Sequence, residues 1–324
     1  MKDSRLLISP GRNVHSHLAV EEFFLNNLDA DQAFILFYRN DPSVVIGKHQ
    51  NPWKESNPYL LKQEHIALAR RISGGGTVYH DPGNLNFAFI AKTDSFDKVQ
   101  NLRLIQQTLS TLGIETELNE HCDILHQGRK VSGSSCAIRK GKTLQHGTLL
   151  IGADLDTLER SLQPAIAQIN DKSVLSRKSR VTNLDSVRRH LSPEMFIEAF
   201  RQKFRESFDS ELYPETKIPS IEQSKYYSKQ TSFDWIYGHT PDFRVEFSNQ
   251  FSWHYNAMEI SVSRGFIHNV EFDGPLPCGL VNKIAKQFTQ SPFDSEYLAG
   301  RMAQEFTRLK SEEEFYRWFS EIKF

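Results

Sequence analysis

The chain has 324 residues, of which 39% are hydrophobic and 24% charged, with 39 Lys plus Arg against 40 Asp plus Glu for a net charge of −1. This composition fills a core and leaves no global basic field for nucleic acid, and the length predicts two domains, or one large domain with an appendage. The longest unbroken apolar run, Ala33 to Tyr38, is far short of the ~20 residues of a membrane span.

The opening Met1-Lys2-Asp3-Ser4-Arg5 is followed only by a short apolar stretch, without the longer apolar region and cleavage site of a signal peptide, so a cytoplasmic location is expected. Residues 17–28 read as an amphipathic helix, with Leu18, Phe23 and Phe24 apolar and Glu21 and Glu22 on the polar side. Ala33–Tyr38 and residues 44–46 have strand length and strand-forming residues. The breakers Asn40-Asp41-Pro42-Ser43 between them predict a hairpin. Residues 70–90 are a glycine-rich loop followed by an alternating stretch, and residues 96–112 have helical spacing. Residues 123–151 read as a set of strands with turns at Gln127-Gly128 and Lys140-Gly141. Residues 171–189 are basic and irregular. Ser192-Pro193 then opens a helix, with a capping serine and proline at the first helical position.

Gly238-His239-Thr240-Pro241-Asp242 is the best candidate linker, followed by alternating residues 243–251 and 258–262 and two or three helical stretches. The expected fold is α+β: a large mixed α/β catalytic domain over 1–238, a linker over 239–246 and a small α+β accessory domain over 247–324. The cysteines, Cys122, Cys136 and Cys278, are odd in number, widely spaced and form no CxxC, and so read as free thiols in a reducing compartment.

Four stretches carry chemistry. In Arg70-Arg71-Ile72-Ser73-Gly74-Gly75-Gly76-Thr77-Val78-Tyr79-His80-Asp81, three glycines permit close backbone approach to a ligand and two arginines supply forked donors for phosphate or carboxylate. The loop matches neither the Walker nor the dinucleotide pattern, and a plain structural loop is the competing reading. In Asp123-Ile124-Leu125-His126-Gln127-Gly128-Arg129-Lys130-Val131-Ser132-Gly133-Ser134, Lys130 either holds a developing negative charge or is an exposed strand lysine. Asp123 is a possible Mg²⁺ ligand or a turn aspartate. His146, in Gln145-His146-Gly147-Thr148-Leu149-Leu150, reads as structural on its own. Arg180-Val181-Thr182-Asn183-Leu184 lies in a segment whose Lys172, Arg177, Lys178 and Arg180 meet an acidic partner, a phosphate or only solvent. His15 and His17 have no carboxylate or cysteine cluster to complete a zinc site, and there is no G-x-S-x-G elbow.

Together and in order, Asn51-Pro52-Trp53-Lys54-Glu55, the 70–81 loop with Gly83-Asn84, Arg129-Lys130-Val131-Ser132-Gly133-Ser134, His146-Gly147-Thr148-Leu149-Leu150 and Arg180-Val181-Thr182-Asn183-Leu184 resemble the lipoate-protein ligase A family. The resemblance covers residues 50–184 most specifically. It continues more weakly from Trp235-Ile236-Tyr237-Gly238 toward that family's accessory domain. It implies a catalytic domain like those of biotin ligases and class II aminoacyl-tRNA synthetases, and two steps. Lipoate and ATP, with Mg²⁺, form lipoyl-AMP and pyrophosphate, and the lipoyl group then passes to a lysine of an acceptor. The implied acceptors are lipoyl domains of 2-oxoacid dehydrogenase E2 subunits and the glycine-cleavage H protein, with no nucleic acid or membrane partner.

Carried over residue by residue, Lys130 is catalytic and bridges the phosphate and the lipoyl carbonyl. Arg71, Gly76, Thr77, Val78, Tyr79, Asn84 and Asn183 join it in binding ATP. Arg70, Ser73, His80 and His146 line the lipoyl pocket, and Asp123 contacts Mg²⁺. The loop ending at Asn183 is expected to close over the adenylate and exclude water.

Three rivals remain at this level. A lipoyltransferase would use only preformed lipoyl-AMP. An octanoyltransferase would use a cysteine thioester without ATP, a reading that Pro277-Cys278-Gly279 superficially suggests and for which Cys136 is better read as a buried structural thiol. A ligand-binding protein on the same fold would show no turnover.

Overall fold

The longest apolar run forms the middle of the main sheet. Ala33–Tyr38 is buried at every position, pairs parallel with Ser4–Ile8 and antiparallel with Asn84–Lys92, and so has both edges occupied. The computed structural model describes residues 4–29, 32–166, 168–208, 213–214, 221–277, 279–306 and 309–324. From edge to edge the six-stranded sheet runs Ser134–Arg139, Lys142–Leu150, Asn84–Lys92, Ala33–Tyr38, Ser4–Ile8 and Tyr213–Pro214.

Its two faces are covered differently. Ile35, Phe37, Phe87 and Phe89 pack with Leu102 and Ile105 of helix Lys98–Thr111 and Phe196 and Phe200 of helix Pro193–Phe208. Phe34, Leu36, Ala88 and Ile90 pack with Val20, Phe24 and Leu25 of helix Val14–Asn27. Burial on both faces explains why Ala33–Tyr38 is continuously apolar rather than alternating.

The expected hairpin is not formed. Ser43–Ile46 belongs to a second sheet, between Ala67–Arg70, to which it is parallel, and Val78–His80, to which it is antiparallel. The breaker cluster carries the chain from one sheet to the other, because both edges of Ala33–Tyr38 are already paired. The other turn signals hold. Gln127-Gly128 and Lys140-Gly141 have positive φ at both residues, the geometry of two-residue hairpin turns that twist with their strands. The first helix starts at Val14 because the Asn13 side chain accepts from the backbone N–H groups of His15 and Ser16. Ser192 accepts from the Met195 N–H, with Pro193 first in its helix.

The C-terminal region is a sheet of Phe243–Gln250, Tyr255–Ser263 and Phe266–Asp273, covered by helices Leu280–Phe288, Ser295–Glu305 and Lys310–Glu321. Phe266–Asp273 lacked an alternating signal because its buried residues, Ile267 and Val270, lie three apart on either side of a register shift in the pairing. Residues 243–246, within the expected linker, open the first of these strands, and Ile169–Asn170 adds a fourth strand from far upstream. Trp53 and Ile166 also enter this C-terminal core. Among the described residues no helix is long and apolar enough to cross a membrane.

Candidate active site

The loop after Ala67–Arg70 folds around the Arg71 guanidinium. Arg71 Nη2 donates to the carbonyls of Gly74 and Gly76, both at 2.6 Å, Nη1 to the Val45 carbonyl at 3.0 Å, and Nε to Ser73 Oγ at 3.0 Å. Burial pushes Arg71 down to about 10, so it stays cationic at neutral pH. Gly75 takes the left-handed conformation at φ 83°, and Ser135 Oγ donates to the Gly74 carbonyl at 2.9 Å. The glycines thus let the backbone wrap a buried cation, leaving Gly75, Gly76, Thr77 and Val78 on the wall of a cleft of about 390 Å³.

Lys130 reaches the same cleft from strand Arg129–Ser132, its Nζ 2.8 Å from Asp123 Oδ1. Its backbone is clamped by the fourth motif: Lys130 N–H donates to the Arg180 carbonyl at 2.8 Å, and Thr182 N–H to the Lys130 carbonyl at 3.1 Å. Gly133 makes room for the side chain. A Cβ there would lie 2.5 Å from Lys130 Cε and 2.7 Å from Nζ.

Two histidines form the inner wall. His146 Nδ1 pairs with Glu21 Oε2 at 2.7 Å, and its Nε2 lies 2.6 Å from Ser73 Oγ. Glu21 Oε1 accepts from the Tyr38 hydroxyl at 2.9 Å, and burial beside that carboxylate raises the Tyr38 pKa well above 10. His80 Nδ1 lies 2.9 Å from Asn40 Nδ2, which makes it the acceptor nitrogen. Burial first, then Arg71, push His80 down to about 3. The neutral ring therefore carries its proton on Nε2, which is buried without a partner among the described residues, on a residue that lines the cleft.

The other wall is a strap. Val174 to Ser179 line the cleft without regular structure. Ser176 Oγ accepts from the Thr77 N–H at 2.8 Å and from Gln50 Nε2 at 3.1 Å, and donates to the Glu55 carboxylate. Upstream, Asp171 accepts from Lys54 Nζ at 2.8 Å and Asn51 Nδ2 at 2.9 Å. The Asn51-Pro52-Trp53-Lys54-Glu55 motif therefore holds the strap, while its tryptophan faces the C-terminal core.

Arg71, Gly76, Thr77, Val78, His80, Asp123, Lys130 and His146 thus converge on one cleft, with Ser73 directly behind, between Arg71 and His146. Four expected residues lie elsewhere. Arg70 is fully buried, its guanidinium bonded to backbone carbonyls and Thr240. Tyr79 packs against Val44, Ile46 and Leu61 because its position in Val78–His80 faces away from the cleft. Asn84 donates to Asn86, and Asn86 is the one that lines the cleft. Asn183 exchanges two hydrogen bonds with the Ala153 backbone and fixes the end of the strap segment.

The sequence reading missed Tyr38, Asn86, Ser135 and Ser176. Glu21 and Glu22, read from the sequence as polar positions of an amphipathic helix, do not face solvent. Both are buried, Glu22 held by Lys229, Arg139 and Gln230. A clue was available in Glu21 and Glu22 standing beside Phe23 and Phe24, a stretch with no clean polar face. Cys136 is exposed on an edge strand, not buried, and Cys278 lies outside the described residues.

Among the described residues no three His, Cys, Asp or Glu side chains gather to hold a metal ion. Asp123 alone fits a cation whose remaining ligands are phosphate oxygens and water, which is the habit of Mg²⁺ bound with a nucleotide.

Residues 13–205 match the model of the lipoyl protein ligase A/B catalytic domain. The crystal structure of P. falciparum LipL1 in complex with lipoate is 26% identical, with a TM-score of 0.63 over 98% of this chain and 99% of that one. Lipoate-protein ligase A bound with ATP is 28% identical, with a TM-score of 0.61 over 72% of this chain and 97% of that one. The bipartite lipoate protein ligase of Thermoplasma acidophilum, described with its E2 lipoyl domain, is 28% identical, with a TM-score of 0.61 over 73% and 96%.

Proposed function

The chain belongs to the lipoyl protein ligase A/B family and is a lipoate-protein ligase, and from that premise we propose that it works in two steps through a lipoyl-AMP intermediate held in the Lys130 cleft. A lipoate carboxylate oxygen attacks the α-phosphorus of ATP and pyrophosphate leaves. The unprotonated amine of an acceptor lysine then attacks the lipoyl carbonyl carbon, and AMP and a proton leave. Activation exchanges a poor leaving group, hydroxide, for a good one.

The observation that carries this reading is Lys130 lining the cleft that Gly76, Thr77 and Val78 also line, its Nζ paired with the Asp123 carboxylate at 2.8 Å. An ammonium there lies where phosphate and carbonyl oxygens gain charge, and Asp123 holds it in place until they arrive. The Gly76–Val78 backbone, shaped by Arg71, supports the nucleotide. His80 offers a neutral Nε2–H donor, and His146, oriented by Glu21, supports the inner lipoyl end. Asp123 would hold Mg²⁺ together with the phosphates, and the ion would neutralise the pyrophosphate as it leaves. The strap over residues 174–179 would keep water from the mixed anhydride.

The acceptors on this reading are E2 lipoyl domains and the glycine-cleavage H protein, and the site of action is the cytoplasm. The archaeal relative described with its E2 lipoyl domain supports the first acceptor.

The deciding measurement is pyrophosphate release with lipoate and Mg·ATP in the absence of an acceptor. The expected result is a burst stoichiometric with enzyme, with lipoyl-AMP retained, abolished by EDTA and restored by Mg²⁺. No release, but transfer from supplied lipoyl-AMP to a lipoyl domain, would instead make the chain a lipoyltransferase.

A further inference from the structure

Arg70, one residue before the guanidinium that shapes the glycine-rich loop, joins two distant stretches of backbone. Its Nη1 donates to the carbonyls of Gly47, Lys48 and Gln50 at 3.3, 3.1 and 2.7 Å. Its Nε donates to the carbonyls of Trp235 and Ile236, both at 3.0 Å. Its Nη2 donates to the Ile236 carbonyl at 2.6 Å and to Thr240 Oγ1 at 2.8 Å. The Arg70 carbonyl in turn accepts from Trp235 Nε1 at 2.6 Å. All these acceptors are neutral oxygens, so a buried cation is held by carbonyl dipoles from both sides. Loss of either side would leave N–H groups of that cation without partners in the interior.

Both sides matter to the cleft. The 47–50 turn backs the glycine-rich loop. Lys48 N–H donates to the Ser73 carbonyl at 2.8 Å, and Thr77 Oγ1 donates to Gln50 Oε1 at 2.9 Å. A Cβ on Gly47 would lie 2.2 Å from the Gly75 carbonyl oxygen. The 235–240 segment leads directly into the C-terminal sheet.

We infer that Arg70 is a positioning residue: through the 47–50 turn it makes the shape of the nucleotide-facing loop depend on how the 235–240 segment, and the C-terminal region beyond it, is seated. Lysine cannot replace it, because one ammonium has three donors on a flexible stem and cannot reach both segments in plane. The kinetic consequence rests on the adenylation reading above. The structural consequence does not.

The test uses the full chain with three separate substitutions, Arg70→Lys, Trp235→Phe and Thr240→Val, compared by hydrogen exchange and by adenylation kinetics. The expected result is faster exchange of the Lys48 and Thr77 amides, by about tenfold or more, with the amides of Ala33–Tyr38 unchanged. The Trp235 and Thr240 substitutions should produce this from more than 150 positions away in the chain. In parallel, kcat/KM for adenylation should fall by up to about 10²-fold in Arg70→Lys, through the KM for ATP and not that for lipoate.

Unchanged exchange at Lys48 and Thr77 in the folded variants would overturn the inference. So would acceleration shared equally with the main sheet, which would reduce Arg70 to a general stabiliser. If Arg70→Lys does not fold, Thr240→Val, which removes one acceptor, decides by the same criteria. Wild-type protein without ATP-dependent pyrophosphate release would sink the adenylation reading and leave the exchange result to be read on its own.

Discussion

At the scale of single residues, the cleft depends on small neighbours as much as on charged ones. Lys130 has its position because Gly133 has no side chain. Gly133→Ala puts a methyl where Lys130 Cε and Nζ lie, and the far end of a flexible lysine moves aside without disturbing the fold. The expected outcome is an unchanged melting temperature and adenylation lowered by about 10²-fold, close to that of Lys130→Ala, since a displaced charge stabilises the transition state poorly. Near-wild-type pyrophosphate release from Gly133→Ala would contradict the placement of Lys130.

His80 makes a prediction about pH. Folded, it titrates at about 3, against 6.5 for an ordinary histidine, so between those values the unfolded chain binds more protons. Stability from this source is complete above pH 6.5 and falls as the pH drops through that window, by at most ~1.4 kcal/mol per pH unit for one group. His15 and His17, also lowered chiefly by burial, act in the same direction. Urea unfolding at pH 7.5, 6 and 5 should show this slope, and His80→Asn should reduce it. An unchanged slope would mean that His80 titrates alike in the folded and unfolded chain, contrary to a pKa lowered by burial. Lys130 and Arg71 stood out in the sequence because charged residues beside glycine-rich stretches suggest chemistry, whereas His80 was singled out only by the family resemblance. The sequence misled at Arg70 because an arginine used for anions and one used for carbonyls are the same letter, and the partners at 235–240 are 165 or more positions away.

At the scale of elements, legibility followed locality. The two-residue turns and the Ser192-Pro193 helix start were readable because the residues that specify them are adjacent. The false hairpin arose because sheet membership depends on Asn84–Lys92 and Ala67–Arg70, well outside the window. The strap over residues 174–179 was visible only as a charge run, whereas its anchor is the neutral Ser176, whose hydroxyl links Glu55 to the Thr77 N–H. Ser176→Ala breaks that link while leaving the catalytic groups in place. The expected result is normal burst adenylation, followed by loss of retained lipoyl-AMP to water about tenfold faster than in wild type. That factor corresponds to one charge-assisted hydrogen bond of ~1.5 kcal/mol that no longer holds the strap shut. Retention equal to wild type would show that the strap does not depend on Ser176.

At the scale of the whole molecule, the catalytic and C-terminal regions share interior side chains and not only a connecting chain. Trp53, 2% exposed, lies in the catalytic half of the sequence. Its ring contacts those of Tyr237, Phe243 and Phe293 at centroid distances of 5.2 to 5.4 Å. Ile169–Asn170 pairs with Phe243–Gln250, and Arg70 holds the Trp235 and Ile236 carbonyls and Thr240 Oγ1 at the entry to the C-terminal sheet. The exposed pairs Lys62–Glu296 and Arg264–Asp234 add little, since pairs of that kind contribute at most ~1 kcal/mol. Shared apolar contacts couple unfolding more strongly, because separating the two regions would strand an indole and several phenyl rings in water. The two regions should therefore unfold in one transition, with far-UV circular dichroism and tryptophan fluorescence coincident in urea. Trp53→Ala removes the largest shared side chain. It should lower stability by about 3–5 kcal/mol and separate the two signals, the C-terminal region melting first because it loses the indole that caps its core. Two transitions already present in the wild-type protein would mean that these contacts dock two independently stable bodies, and the coupling assigned to Arg70 would then have to act across an interface that opens on its own.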